Sequence, residues 1–268
     1  MSVFYIDVSH LFWIVVILCG LSVGSFLNVI IFRFNPSEEL SMANFIKWSF
    51  KSSHCMHCNN KILKRDNIPI LSWILLNGKC RYCYYRISII YPLTEFITML
   101  VFSYFYMLYE YNMISLMAFF FYTSLACTLY CSSIIDYHHK IIPDVSVFYI
   151  FVSGAFFSFV ADYDLFFFLK SLMAVVIMFC ILTLSLLIVK IFLKTNMPIG
   201  GGDLKLFMSL AIWLGWENIG LLLLLSSFFG LIHFVFLNKK AYSVPISFGP
   251  SISMSAMVII IFTKIGIN

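Results

Sequence analysis

The sequence predicts an all-α polytopic membrane protein of about eight transmembrane helices with one small cytosolic loop domain. Three observations predict it. The 268 residues are 62% hydrophobic and only 11% charged, against roughly half apolar and a quarter charged in soluble domains. Apolar runs long enough to span a bilayer recur at 11–32, 91–109, 114–135, 145–169, 171–193, 219–237 and 248–266, and a shorter run occupies 204–216. Basic residues gather in alternate connections, as the positive-inside rule expects.

The first run is preceded by Asp7 and His10 but by no Lys or Arg, and Arg33 follows it. It therefore reads as an anchor with its N-terminus outside, not as a cleavable signal peptide. Alternating from there places 33–90, 136–144, 194–203 and 238–247 in the cytosol. Fifteen of the seventeen Lys and Arg then lie on that side or at its edge, Lys170 and Lys264 being the exceptions. Fusing 204–237 into one helix would move Lys239 and Lys240 outside, so a break near Trp216 is favoured. The formal charge of +5 is thus an orientation signal; lipid is the expected surrounding, and no nucleic-acid partner is expected. Three parts follow: a first helix (1–32), a cytosolic loop domain (33–90) and a helical bundle (91–268).

In the first helix, Gly20 and Gly24 have the four-residue spacing that lets two helices approach closely. Asn28 needs a hydrogen-bond partner inside the bundle. The loop holds Cys55-Met56-His57-Cys58 and Cys80-Arg81-Tyr82-Cys83, with twenty-one residues between the pairs. Four thiolates from two such knuckles give a closed tetrahedral zinc site, able to fold a loop that has no core of its own. Disulfides are the alternative, disfavoured by a reducing compartment; His54 and His57 are substitute ligands of lower rank. Cys19, Cys127, Cys131 and Cys180 fall within helices and read as small buried apolar residues.

The second helix opens at Tyr91-Pro92-Leu93-Thr94-Glu95, with Pro in its first turn. Glu95 is placed to pair with Arg86 or to assist a site, and the ion pair is the favoured reading. The third ends in Ser132-Ser133-Ile134-Ile135-Asp136, followed by His138, His139 and Pro143-Asp144. Asp144 is explained as a cap of the fourth helix. Asp136 is not so explained, because a carboxylate at a helix C-terminus faces the negative end of the dipole. Asp162 and Asp164 read as solvated residues of an outer turn, and the two histidines as interfacial.

The most informative stretch is Pro198-Ile199-Gly200-Gly201-Gly202-Asp203-Leu204-Lys205. A glycine turn followed by an aspartate N-cap accounts for it structurally. Yet the apolar run behind Asp203 is thirteen residues, about 20 Å, against a hydrocarbon core of about 30 Å. Asp203 then lies below the membrane surface, where a carboxylate and non-helical backbone are tolerated only in a covered or wet cavity. Gly200 and Gly202 offer backbone beside which an extended peptide can lie.

Asp136 and Asp203, facing each other at one depth, make an acid–base dyad. Two close carboxylates do not both ionise easily, so one keeps its proton. The ionised member takes a proton from water, and the other polarises a peptide carbonyl and protonates the leaving amine. By helix ends alone, Asp203 is the better base and Asp136 the better acid.

These motifs resemble the type IV prepilin peptidases, intramembrane aspartic proteases of the GxGD type. The resemblance is carried by Gly24-Ser25-Phe26-Leu27-Asn28-Val29 with Arg33, the paired cysteine motifs, Asn67-Ile68-Pro69 with Leu71-Ser72-Trp73, and Tyr91-Pro92-Leu93-Thr94-Glu95. It continues through Asp136 to Pro143-Asp144, Gly200-Gly201-Gly202-Asp203 with Lys205, and Phe248-Gly249-Pro250, covering nearly the whole chain in order. The family's catalytic pair falls on Asp136 and Asp203; relatives vary at Gly201, and some have Asn where Asp144 stands. The resemblance implies cytosolic removal, in the inner membrane, of short basic leaders from type IV prepilins and type II secretion pseudopilins. It also implies N-methylation of the new N-terminal residue, usually Phe, with S-adenosylmethionine. No dinucleotide-type glycine fingerprint marks a donor site; the loop and the ends of the first helices are where it would lie.

A proton-coupled transporter would also use two intramembrane carboxylates. It would be expected to show paired repeats around a midplane site, and neither is evident. A membrane scaffold with a zinc loop leaves the aspartates unexplained.

Overall fold

The computed structural model describes residues 8–36, 52–161, 165–193, 200–237 and 247–265. Eight helices of fourteen residues or more run through the described residues, one for each predicted apolar segment: α1 Val8–Arg33, α2 Ile90–Glu110, α3 Leu116–His139, α4 Asp144–Ala161, α5 Leu165–Leu193, α6 Gly201–Leu214, α7 Ile219–Leu237 and α8 Gly249–Ile265. Extended structure among those residues is limited to two isolated bridges, His54 with Lys61 and Lys79 with Arg86. Five helices are long and apolar enough to cross a bilayer; α4 and α8 are apolar but shorter. The break between α4 and α5 falls between Ala161 and Leu165, where the sequence places an outer turn, and not at Lys170, where the apolar runs divide. Asp162, Asp164, Pro198, Ile199, Lys239 and Lys240 lie outside the described residues.

The chain forms two compact units, Met1–Asn112 and Met113–Asn268. In the first, α1 packs along α2. Close approach is the reason for the small residues of α1: a Cβ at Gly20 would lie 2.8 Å from the Cα of Met99, and one at Gly24 would lie 2.6 Å from the Cα of Glu95. Polar and aromatic contacts pin the seam at both ends. Trp13 Nε1 donates to Glu110 Oε2 at 2.8 Å, Asn28 Nδ2 donates to the Tyr91 carbonyl at 3.0 Å, and Phe32 stacks on Tyr91 with ring centroids 4.2 Å apart.

In the second unit the short helix α6 is the core element. Leu206, Leu210 and Ala211 are fully buried, and α4, α5 and α8 all pack on it. Gly154 makes room for this: a Cβ there would lie 2.6 Å from Trp213 Nε1, which donates to the Ile150 carbonyl at 2.8 Å. Fourteen residues give about 21 Å of helix. The helices that pack on α6 are longer than it is, and its first turn carries Asp203.

Candidate active site and metal centre

Ser115 caps the start of α3, accepting from the Ala118 N–H at 3.1 Å, and Lys140 ends the helix in left-handed conformation. Asp136 therefore sits one turn inside α3, not at its last residue, and is 5% exposed. Its Oδ2 accepts the backbone N–H of Gly249 at 3.0 Å. Lys140 and His233 lie within electrostatic reach of the same carboxylate. Lys140 also reaches the Ser247 hydroxyl at 3.3 Å and lies over the Tyr137 ring, while His233 stacks on Tyr137 at 6.1 Å.

Asp203 is the third residue of α6, preceded by Gly200 at the cap position, where no side chain closes the helix. An N-cap role for Asp203 is thereby ruled out: it is part of the first turn, and its N–H donates to the Gly200 carbonyl. The charged group it senses is Asp136. The structure thus brings together the two carboxylates that the sequence singled out. It also sets a glycine against each: a Cβ at Gly249 would lie 2.7 Å from Asp136 Oδ2, and one at Gly200 would lie 2.9 Å from Asp203 Oδ2. Gly202 faces Ile142, whose Cβ would be 3.3 Å from an added Cβ. Asp144 is exposed and pairs with Lys205 at 2.7 Å.

The cysteine loop repeats one backbone pattern twice. The Cys55 N–H donates to the Asn60 carbonyl and the Asn59 N–H returns to the Cys55 carbonyl; Cys80, Tyr85 and Tyr84 do the same. Asn59 and Tyr84 both take positive φ, 55° and 58°. These turns bring Cys55, Cys58, Cys80 and Cys83 together, with all four sulfurs within 4.8 Å of one another. Cys55 and Cys83 are 3.8 Å apart, and Cys58 and Cys80 3.9 Å. Four sulfurs at a zinc–sulfur distance of about 2.3 Å form a tetrahedron with edges of about 3.8 Å. The cluster could hold such an ion.

Electrostatics agree with the geometry. Burial opposes the Cys55 thiolate, but the N–H groups of Cys58 and His57 and the neighbouring thiols outweigh it and bring the group down to about 7. Cys83 takes an N–H from Tyr85, yet desolvation and the other three sulfurs push it up to about 12. Four crowded thiols ionise together only around a cation. Neither histidine joins them: His57 stacks on Tyr85 and His54 approaches the Ser52 carbonyl. Arg81 makes two bonds to Asp66, Nε to Oδ2 at 2.7 Å and Nη2 to Oδ1 at 2.6 Å, tying the second knuckle to the turn at Lys64–Asn67.

Two further sequence expectations are corrected. Glu95 does not pair with Arg86; it accepts the Ile70 N–H at 2.6 Å and the Ser25 hydroxyl. Its carboxyl group, in a residue 7% exposed, fixes a turn rather than an ion pair. Cys127 and Cys131 are buried, but Cys19 and Cys180 are exposed on the outer faces of their helices. The amide of Gly249 and the neighbourhood of His233 were not foreseen; Phe248-Gly249-Pro250 marked the place weakly, and nothing around His233 marked it at all.

A cavity of about 880 Å³ lies in the first unit, between the ends of α1 and α2 and the cysteine loop. Phe32, Trp73, Tyr85 and Tyr91 give it aromatic walls, and Asn28 and Glu95 are among its polar groups.

Two family profiles match the chain: Bacterial Peptidase A24 N-terminal domain over residues 18–109, and Type IV leader peptidase family over residues 123–235. The chain is 32% identical to the type 4 prepilin-like proteins leader peptide-processing enzyme of Escherichia coli, over 90% of each chain. It is 30% identical to the prepilin leader peptidase/N-methyltransferase of Vibrio cholerae, over 94% of this chain and 97% of that one. The protein of the same name from Aeromonas hydrophila is 31% identical over 94% and 91%. No solved structure matches. With its two matched regions falling on its two units and full-length relatives at this identity, the chain belongs to the type IV leader peptidase family.

Proposed function

We propose that this protein is an intramembrane aspartic endopeptidase and N-methyltransferase of the inner membrane. Its substrates are type IV prepilins and type II secretion pseudopilins, cut on the cytosolic side after the short basic leader. The observation that carries the reading is the placement of Asp136 and Asp203 within electrostatic reach of each other, on two helices of one unit that both pack against α8, each backed by a glycine. The distribution of Lys and Arg supports an outside N-terminus and about eight spans.

The hydrogen bond from Gly249 supports a division of roles within the dyad. An amide aimed at Asp136 Oδ2 supports the anion, so Asp136 is the base and Asp203 the acid. This reverses the assignment from helix ends, which counted no donor outside α3. Asp136 takes a proton from a water as its oxygen attacks the scissile carbonyl carbon; Asp203 hydrogen-bonds the carbonyl oxygen. Collapse of the tetrahedral intermediate breaks the C–N bond, and a proton from the dyad goes to the leaving amine. Gly200 and Gly202 lend backbone to an extended substrate, where a side chain would crowd Asp203 or Ile142.

Cys55, Cys58, Cys80 and Cys83 hold zinc, which cross-links the loop. The cavity beside that loop receives S-adenosylmethionine, which supplies the methyl group for the newly exposed amine. Its support is the aromatic lining, the volume and its place at the ends of α1 and α2. The test is to incubate membranes containing the protein with a prepilin, with and without S-adenosylmethionine, and to weigh the products. Leader loss in both samples and a methyl increment in one support both activities. An uncut prepilin contradicts the first, and cut but unmethylated product the second.

A further inference from the structure

Resting on the reading of the first-unit cavity as the methyl-transfer site, we propose that Glu95 and Asn28 form a seat for a primary ammonium within it. Two carboxylates line the cavity, Asp66 and Glu95. Asp66 is matched by Arg81. Glu95, although buried, has no cationic partner among the described residues; its donors are the neutral Ile70 N–H and Ser25 hydroxyl. A carboxylate withdrawn from water without a counter-charge is costly, and a bound cation removes that cost.

Asn28 supplies an independent indication. It is 3% exposed and lines the same cavity. Its Nδ2 is used on the Tyr91 carbonyl, while Oδ1 has no hydrogen-bond partner. A buried acceptor without a donor is destabilising and uncommon. The seam of α1 and α2 sets the two acceptors near each other: Gly24 abuts Glu95 and Asn28 bonds to Tyr91. Both steps are one helical turn, about 5.4 Å of backbone along the seam; two acceptors each about 2.8 Å from one tetrahedral nitrogen lie about 4.6 Å apart, a separation within reach of side chains that face the same cavity from positions one turn apart. A sulfonium would satisfy the charge of Glu95 but not the carbonyl of Asn28. A primary ammonium satisfies both.

The position of Glu95 is built rather than incidental. Pro69-Ile70-Leu71 forms a γ-turn with Ile70 at φ 58° and ψ −51°, and the Leu71 N–H donates to the Pro69 carbonyl. A β-branched residue at positive φ is strained, and such strain persists where the surroundings enforce it. Here the enforcing group is the carboxylate of Glu95, which takes the Ile70 N–H. The same bond holds that carboxylate in place at the cavity wall.

Two reactants offer such an ammonium: the amino-acid end of the methyl donor and the new N-terminus of the cleaved pilin. Binding of two probe pairs to the purified full-length protein separates them. One pair is S-adenosylhomocysteine and methylthioadenosine, which lacks the amino-acid end; the other is a hexapeptide beginning with Phe, with a free or an acetylated amine. Glu95→Gln keeps an acceptor for Ile70 and removes the charge; Asn28→Leu removes the second acceptor. Zinc content and a monodisperse profile in detergent certify each variant's fold. The seat predicts that Glu95→Gln weakens one amine-bearing probe by about tenfold or more, leaves its amine-free counterpart unchanged, and that Asn28→Leu follows in the same direction. The pair that moves identifies the source. Unchanged ratios within both pairs overturn the seat alone, whereas a wild-type protein that binds none of the probes overturns the reading of the cavity and the seat with it.

Discussion

Gly249 donates its backbone N–H to Asp136 Oδ2 at 3.0 Å, and an added Cβ at the same residue would lie 2.7 Å from that oxygen. One residue of α8 thus both orients the carboxylate and leaves space for it. Gly200 stands in a similar relation to Asp203, without the hydrogen bond.

Gly249→Ala and Gly200→Ala are therefore expected to act on catalysis more than on stability. The atom that must give way is in each case the end of an aspartate side chain, which can swing aside without disturbing the helices. A displacement of about 1 Å at a reacting group costs up to about a hundredfold in rate. Leader cleavage by each variant, measured as kcat beside a melting curve in detergent, checks this. A large fall in melting temperature with kcat retained would show that these glycines serve packing.

The four-sulfur centre predicts one zinc ion per chain. Cys55→Ser removes one corner of the tetrahedron and is expected to lower metal content and to expose the loop to protease. Metal analysis of purified wild-type and variant protein checks it. Equal metal in the two, or none in the wild type, contradicts the assignment.

The two hydrogen bonds from Arg81 hold the Asp66 carboxyl below its ordinary range, with partial desolvation working against them. A depressed folded-state value means that the pair's contribution is fully present above the unfolded value, about 3.9, and is lost as pH falls through the lower folded one. Asp66→Asn should thus make the loop more open to hydrogen exchange by an amount that stays flat between about pH 5 and pH 8. A difference that changes across that window would place its cause elsewhere, for instance in the thiols.

Lys205 and Asp144 are both exposed, at 52% and 76%, and an ion pair in such a setting contributes about 1 kcal/mol or less. Asp144→Asn should cleave prepilin within about twofold of wild type. A loss as large as that of a dyad aspartate would mean that Asp144 takes part in the chemistry.

What could be read in advance follows from the range of the forces involved. Helix positions were legible because hydropathy is a property of each segment alone. The break between α4 and α5 carried two conflicting signals, because Asp162 and Asp164 mark a turn while Leu165-Phe166-Phe167-Phe168-Leu169 continues the apolar run to Lys170. The cysteine centre was legible from spacing, which is local; the matching turns at Asn59 and Tyr84 were not, since neither residue carries a turn signature shared by both. Glu95 was read as an ion-pair partner because charge is visible in a sequence. Its real partner, an amide twenty-five positions earlier in a strained turn, is not. The donor from Gly249 to Asp136 crosses 113 positions and depends on how α8 meets α3.

Cleavage of a prepilin by Asp136→Asn and Asp203→Asn variants, each shown by immunoblot to reach the membrane at wild-type level, tests the central claim most directly. The dyad predicts that each substitution alone abolishes leader removal, because neither the activation of water nor the protonation of the leaving amine proceeds with one carboxyl. Mature pilin accumulating with either variant at a rate near that of the wild type would contradict it.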